Sequence, residues 1–263
     1  MKKVFLFVFS ALLAFSCEHN GNDPEPEIPN LVPIKMEDVD GHRELIYDAN
    51  GKVSGVSIVT KFVDGTELKN VQTLVRDTSG KLIELTTDTG WRMVYVYDGE
   101  GKVSRTEEYV NDVWSQRHEY AYNEKGLLKE SITYQNVPEE GGLIPVSKDA
   151  YSYNSNGNVS LQVLYYYTSF GAEAKLLTTT TFSDYDSKIN TESYFAINPF
   201  NPFVKVKNNN PGKMVMRNPT GTNTIVETYE YKYNDAGYTA EKTSYVTMYN
   251  GNSGSFTTSY SFK

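Results

Sequence analysis

Short segments in which apolar and polar residues alternate recur along the chain, and each segment runs into a tight turn. In residues 95–103, Tyr95 and Tyr97 are two positions apart and therefore share one face of a predicted strand. Asp98 opens a four-residue turn that Gly101 closes. This pattern is typical of a type I turn, because the carboxylate caps nearby backbone N–H groups and glycine adopts a positive φ without strain. The segment therefore predicts a β-hairpin.

Copies of this turn are spread over most of the chain. Each pairs Asp or Asn with a glycine three positions later: Asp48 and Gly51, Asp77 and Gly80, Asp98 and Gly101, Asn123 and Gly126, Asn154 and Gly157, and Asn234 and Gly237. A degenerate copy at 183–189 keeps Tyr185 and Asp186 but lacks the glycine. The spacing between copies is too irregular for a solenoid and predicts hairpins joined by loops of variable length.

These hairpins predict a single all-β domain over residues 35–263. Seven hairpins and a final alternating strand imply one antiparallel meander of about 12–15 strands, and no segment shows a convincing helical period. A sheet of this size must protect its edges, so we expect it to be strongly curled or barrel-like. The hairpin pattern is interrupted at about 195–221, where Asn, Pro and Phe accumulate and predict an irregular loop.

The beginning of the chain has the features of an export signal. Lys2 and Lys3 precede a twelve-residue apolar run. A membrane helix needs roughly 20 such residues, so residues 1–16 are predicted to be a signal peptide. Small residues lead into Cys17, which resembles the lipobox of bacterial lipoproteins. The resemblance implies that Cys17 is lipidated and anchors the chain to the outer membrane, facing the periplasm or the cell surface. An ordinary signal peptide with an incidental cysteine is the alternative.

A polar segment separates Cys17 from the predicted domain. Residues 17–34 contain four prolines and several acids, a composition that predicts a disordered tether. Cys17 is the only cysteine of the chain, so the exported protein has no intramolecular disulfide and depends on packing for its stability.

The Tyr-x-Tyr-[Asp/Asn]-x-x-Gly units resemble the YD repeats of Rhs-type proteins, whose repeats wrap into β-shells. The whole arrangement is similar to a Bacteroidetes lipoprotein family of unknown function with a porin-like fold. In that family a Tyr-Asp-x-Lys-x-Asn segment, here residues 185–190, leads into an Asn/Pro/Phe loop, here residues 198–203. The resemblance implies a barrel-like fold, and it implies no activity and no site residues.

The sequence lacks the residues that several kinds of binding and catalysis require. The formal charge of −8 disfavours nucleic acid as a partner. His42 and His118 stand apart from any cysteine, so no metal site is predicted. No phosphate loop, dinucleotide fingerprint or nucleophile elbow occurs, and we expect no cofactor and no enzymatic activity. A carboxylate pair for glycoside hydrolysis stays open, because such pairs meet only in the fold.

The leading hypothesis is a lipid-anchored binding or scaffold module at the outer membrane, with a glycan or an envelope protein as a possible partner. Trp91, Trp114 and Tyr167 are candidates for stacking on a ligand, and the alternative is that they form cross-strand pairs. The second hypothesis is an integral porin-like barrel. Against it, Glu107 and Glu108 place charge on both faces of one predicted strand.

Overall fold

Antiparallel strands joined in chain order make up nearly all of the described structure. The computed structural model describes residues 31–138, 142–168, 173–195 and 207–263. The strands are β1 (Pro33–Asp38), β2 (Gly41–Tyr47), β3 (Val53–Lys61), β4 (Glu67–Arg76), β5 (Leu82–Thr87), β6 (Trp91–Tyr97), β7 (Val103–Val110), β8 (Val113–Tyr122), β9 (Leu128–Val137), β10 (Gly142–Tyr153), β11 (Val159–Thr168), β12 (Glu173–Ser183), β13 (Lys213–Arg217), β14 (Asn223–Tyr233), β15 (Thr239–Met248) and β16 (Ser253–Phe262).

The sheet closes on itself. Each strand pairs with its neighbours in the sequence, and β1 pairs with β16, with Met36 opposite Tyr260. Closure satisfies the edge groups that an open sheet would expose. The predicted all-β hairpin meander and its barrel-like curvature are confirmed. A single-turn 3-10 helix, Thr191–Tyr194, lies between β12 and β13. Among the described residues, no helix is long and apolar enough to cross a membrane.

Two boundaries differ from the sequence prediction. The first strand begins at Pro33, two residues before the predicted domain start at 35. The prediction of an irregular loop throughout 195–221 is wrong for Lys213–Arg217, which form β13, and this strand helps to raise the count to sixteen. The prolines that motivated the prediction flank this strand and do not enter it. Residues 1–30, with the predicted signal peptide, Cys17 and most of the tether, lie outside the described residues, as do residues 196–206.

The turn chemistry is confirmed in atomic detail. Asp98 Oδ1 accepts the backbone N–H groups of Glu100 and Lys102, each at 2.9 Å, and Gly101 has a φ of +81°. The other five predicted turns repeat these two side-chain bonds, from Asp48, Asp77, Asn123, Asn154 and Asn234. A register shift follows each turn, and such bulges increase the twist that a closed sheet requires.

Five tyrosines that directly precede Asp or Asn turns each link their part of the sheet to an earlier strand. We call Tyr47, Tyr97, Tyr122, Tyr153 and Tyr185 the tyrosine ring. Their hydroxyls donate to backbone carbonyls at 2.5–2.8 Å, on Pro33, Leu82, Val103, Leu128 and Val159 respectively. Arg76 stands at the equivalent position before Asp77, and its guanidinium donates to the carbonyl of Val53 at 3.4 Å. One contact is thus repeated along the rim that carries the Asp/Asn turns.

Alternate side chains of the strands face inward and form two apolar clusters. One contains Leu74, Leu82, Leu85, Met93, Tyr95, Val103, Tyr120 and Leu128. The other contains Met36, Leu45, Val56, Tyr260 and the fully buried Phe195, which follows the 3-10 helix. The lumen is therefore packed with side chains over much of its volume and receives a segment from the β12–β13 connection.

The outward positions carry ion pairs. Arg105 and Glu107 flank the fully buried Thr106 and lie 3.0 Å apart, and Arg117 on β8 approaches Glu107 at 3.3 Å. Further outward pairs are Lys35–Glu37, Glu84–Arg92, Glu130–Lys148 and Lys232–Glu241, with 2.6–3.7 Å between nitrogen and oxygen. Charged side chains are thus distributed around the outer surface of the barrel.

Substitution of one of the five tyrosines in the tyrosine ring tests the link between hairpins. We expect Tyr122→Phe to lower the free energy of unfolding by about 1–2 kcal/mol, because it removes the hydrogen bond to Val103 and leaves a carbonyl without its donor. Urea unfolding followed by circular dichroism measures this change. Tyr249→Phe is the matched control, since Tyr249 is 80% exposed at a turn. Equal stability of the two variants would contradict the proposed contribution.

The tyrosine ring also predicts an alkaline limit of stability. Burial raises the pKa of Tyr47, Tyr122 and Tyr153 to about 12. An unfolded tyrosine has a pKa of about 10, so this contribution is complete below about pH 10 and is lost as the pH rises through 12. We expect the thermal midpoint to fall over this interval, together with the appearance of tyrosinate absorbance. A midpoint that stays constant up to pH 12 would rule this out.

Candidate ligand site in the barrel lumen

A cavity of about 380 Å³ opens into the lumen between the 3-10 helix and the inward faces of seven strands. This volume is within the usual range of small-molecule sites, roughly 300–1,000 Å³. The described residues that line it are Met36, Asp38, Gln162, Thr180, Phe182, Glu192, Lys207, Met214, Met216, Glu227, Tyr229, Lys242, Phe256 and Thr258. Thioethers and aromatic rings thus share the wall with five ionisable carboxylate and ammonium groups.

Strand register brings the lining residues into rows. Met214 on β13 lies opposite Phe182 on β12 and opposite Glu227 on β14. Facing residues of antiparallel neighbours point to the same side, so these three side chains form one row along the lumen wall. A second row starts at Lys242 on β15, which lies opposite Thr258 on β16.

The 3-10 helix supplies the acid of an ion pair. The Asn190 side chain caps the helix by accepting the Glu192 N–H at 3.1 Å. At the other end, Arg43 donates to the carbonyl of Phe195 at 2.9 Å. Glu192 is held so that its Oε2 lies 2.8 Å from Lys242 Nζ. The Glu192 side chain keeps 48% of its exposure and that of Lys242 keeps 11%, so the pair lies in a space that remains open to solvent.

The charges of this cluster depend on each other. Enclosure raises the pKa of Glu192, but Lys242 and Lys207 lower it further than enclosure raises it, so the net pKa is below its usual value. Enclosure lowers the pKa of Lys207, an effect opposed by Glu192 and Glu227 and reinforced by Lys242. Burial and Glu227 raise the pKa of Tyr229, whose hydroxyl donates to Glu227 Oε2 at 2.7 Å. Glu192 and Glu227 thus present negative charge beside two lysines.

Lys207 differs from Lys242 in having no direct acid partner among the described residues. Its Nζ lies 4.5 Å from the centre of the Phe182 ring. Within the described ranges, no carboxylate lies within 4.0 Å of Lys207 Nζ. The ammonium therefore faces the cavity while its electrostatic partners, Glu192 and Glu227, act from a distance.

A second polar cluster lies on the inward faces of β6 to β9. His118 Nε2 lies 2.8 Å from Glu108 Oε1, and His118 Nδ1 lies 3.0 Å from Thr133 Oγ1. Burial raises the pKa of Glu108, but contacts with His118 and the Trp91 indole N–H outweigh burial and lower it. The two imidazole nitrogens of His118 thus both have side-chain partners, Glu108 on one side and Thr133 on the other. No group of His, Cys, Asp and Glu in the described part of the chain is arranged to hold a metal.

The three predicted stacking residues do not form one platform. Trp91 faces inward, packs against the first apolar cluster and donates to Glu108 at 3.0 Å. Trp114 and Tyr167 lie on the outward side, where Arg117 approaches the Trp114 ring at 5.3 Å. Their role as ligand contacts stays a prediction.

Sequence reasoning missed the lumen charges. Tyr229 and Lys242 stand at inward positions of strands whose alternation was visible in the sequence. Glu192 and Lys207 come from the β12–β13 connection, whose path into the lumen has no periodic signal. Their meeting depends on closure of the sheet and on that connection, so the sequence alone offered no means of finding the cavity.

The fold resembles that of a porin-like protein of known structure. A porin-like protein from Bacteroides uniformis superimposes with a TM-score of 0.61 at 13% identity, covering 88% of this chain and 97% of that chain. A porin-like protein from Bacteroides vulgatus gives 0.39 at 11% identity, covering 88% and 98%. A DUF3836 family protein from Parabacteroides distasonis gives 0.23 at 14% identity, covering 41% and 86%. No protein-family model and no curated protein sequence matches the chain.

Removal of the lumen acid tests the ion pair. We expect Glu192→Gln to lower the free energy of unfolding by about 1–2 kcal/mol, between the values of surface and buried pairs, because it leaves Lys242 and Lys207 facing each other. Urea unfolding of this variant, of Lys242→Met and of the double variant gives the coupling energy.

The control is a surface ion pair of the same length. Glu100 lies 2.8 Å from Lys102 and is 75% exposed, so Glu100→Gln should change stability much less. A loss at Glu100 as large as that at Glu192 would show that the lumen pair has no special contribution.

Proposed function

We propose that this protein is a lipid-anchored, non-enzymatic binding or scaffold module of the outer membrane, in which a water-surrounded barrel receives a small ligand in its lumen. The proposed anchor is a lipidated Cys17, at the start of the predicted tether over residues 17–34. The resemblance of the Tyr-Asp hairpins and the lipobox to a Bacteroidetes lipoprotein family supports this assignment. A glycan or an envelope protein is the partner we expect at the outer surface, where Trp114 and Tyr167 lie.

The observation that carries the proposal is the charged outer surface. A lipid-facing strand needs one uncharged apolar face, and a charged side chain near the bilayer centre costs about 2–4 kcal/mol when it is Arg or Lys. Arg105, Glu107 and Arg117 occupy outward positions of β7 and β8. Similar pairs lie on β1, Lys35–Glu37, and between β14 and β15, Lys232–Glu241. This pattern favours water over hydrocarbon around the barrel.

The filled lumen favours the binding of a ligand over the conduction of solutes through the barrel. Apolar clusters and Phe195 fill much of the interior, and the remaining space near the 3-10 helix is a cavity of ligand size. The cavity combines apolar walls with a few charged groups, which is the composition of many small-molecule sites.

An integral porin-like barrel is the second candidate. Closure through sixteen strands favours it, as does the fold shared with the porin-like protein of Bacteroides uniformis. The outward ion pairs oppose it, because each would have to enter the hydrocarbon region or lie outside it. A glycan-active enzyme ranks third, since no motif supports it.

Solubility separates the first two candidates. Residues 18–263 contain all sixteen strands, and we expect this chain to be soluble without detergent, rich in β-structure by circular dichroism and monomeric or a small oligomer by size exclusion. Aggregation that only detergent or lipid relieves would overturn the water-surrounded barrel and favour the integral one.

The anchor is tested in cells with the full chain. We expect the protein to fractionate with the outer membrane and to incorporate a labelled fatty acid, and Cys17→Ser to abolish the labelling. Ser16→Ala is the control, because it keeps both the cysteine and a small residue before it. Fatty-acid labelling that persists in Cys17→Ser would refute the assigned lipidation site.

A further inference from the structure

We propose that the lumen cavity binds a small zwitterion with an apolar body, an amino acid or a short peptide with free termini. In this assignment Lys207 contacts the ligand carboxylate and Glu227 contacts the ligand ammonium. The inference rests on the proposed ligand-binding role of the lumen and specifies the class of ligand.

Charge pairing within the cavity identifies the groups that remain available to a ligand. Glu192 and Lys242 satisfy each other at 2.8 Å. Lys207 has no carboxylate within 4.0 Å in the part of the chain that the structure describes, and Glu227 receives a neutral hydroxyl from Tyr229. Asp38 also lines the cavity, and its Oδ1 accepts the backbone N–H of Asp40 at 3.0 Å. Among the described lining residues, the ammonium of Lys207 and the carboxylates of Glu227 and Asp38 are therefore left without an ion pair.

The separation of Lys207 and Glu227 is the central observation. Both line the cavity, and Lys207 Nζ lies 4.5 Å from the ring centre of Phe182, which stands in the same cross-strand row as Met214 and Glu227. The charged atoms of Lys207 and Glu227 are nevertheless more than 4.0 Å apart. A ligand with both charges can place a group of opposite sign against each of them. An anion at Lys207 would instead meet the negative charge of Glu227, and a cation at Glu227 would meet Lys207. A zwitterion is therefore the ligand that can pair with both Lys207 and Glu227.

The rest of the wall suits an apolar body. Met214 lies between Phe182 and Glu227 in one cross-strand row, so apolar surface begins directly beside the acid. Met36 and Met216 extend this surface. Methionine side chains adapt to ligands of different shape, which favours a class of ligands over a single compound.

Isothermal titration of residues 18–263 tests the class of ligand without any mutation. The probes are L-phenylalanine and the dipeptide L-methionyl-L-phenylalanine, each compared with its N-acetylated form and with its C-terminal amide. We expect at least one of the two zwitterions to bind, and both of its blocked forms to bind at least tenfold more weakly, since each lacks one of the two charges.

Substitutions then assign each charge to its partner. We expect Lys207→Met to weaken binding of the zwitterion at least tenfold and to remove the preference for the free carboxylate over the amide. Glu227→Gln should likewise remove the preference for the free ammonium over the N-acetyl form. Lys129→Met, at an exposed lysine of β9, is the control and should leave all affinities unchanged. Circular dichroism confirms that each variant is folded.

Three results would overturn the inference. An N-acetylated probe that binds as tightly as the zwitterion would identify an anion site, and an amide that does so would identify a cation site. Absence of binding by either zwitterion to the soluble, folded wild-type chain would exclude this ligand class. None of these results would contradict the proposed water-surrounded barrel, because solubility without detergent tests that proposal separately.

Discussion

The bond from a turn carboxylate or amide to its own loop is the interaction on which the barrel depends. Each Asp or Asn holds its turn in one conformation through two backbone N–H groups, and the strands on either side leave that turn in a defined register. The following bulge adds twist, and the tyrosine ring fixes one hairpin against another. Repetition of this local unit bends the sheet until β16 reaches β1.

Closure also creates the lumen as a chemical environment. Inward positions that would lie far apart on an open sheet converge, so Lys242 of β15 meets Glu192 from the β12–β13 connection. The apolar clusters exclude water from part of the interior, whereas the cavity beside the 3-10 helix keeps solvent access. The same wall that carries ion pairs outside can therefore carry a ligand site inside.

The repeat was readable from the sequence because it is local. Asp98 and Gly101 are three residues apart, and everything that makes their hairpin lies within a few positions. The β13 strand was missed, since prolines on both sides obscured five residues of alternation, although Asn218 and Gly221 form another turn of the repeat type. The cavity could not be predicted from the sequence, because Lys207 and Glu227 line it together only through the non-local path of the chain.

The seam between β1 and β16 has a consequence for how the chain folds. Most strands pair with a partner that a short turn delivers, so most of the sheet can form by fast local steps. The seam joins Pro33 to Phe262, and it cannot form until the whole domain is present. Until the seam forms, β1 remains an open edge, and this is the interval in which the chain is most exposed to aggregation.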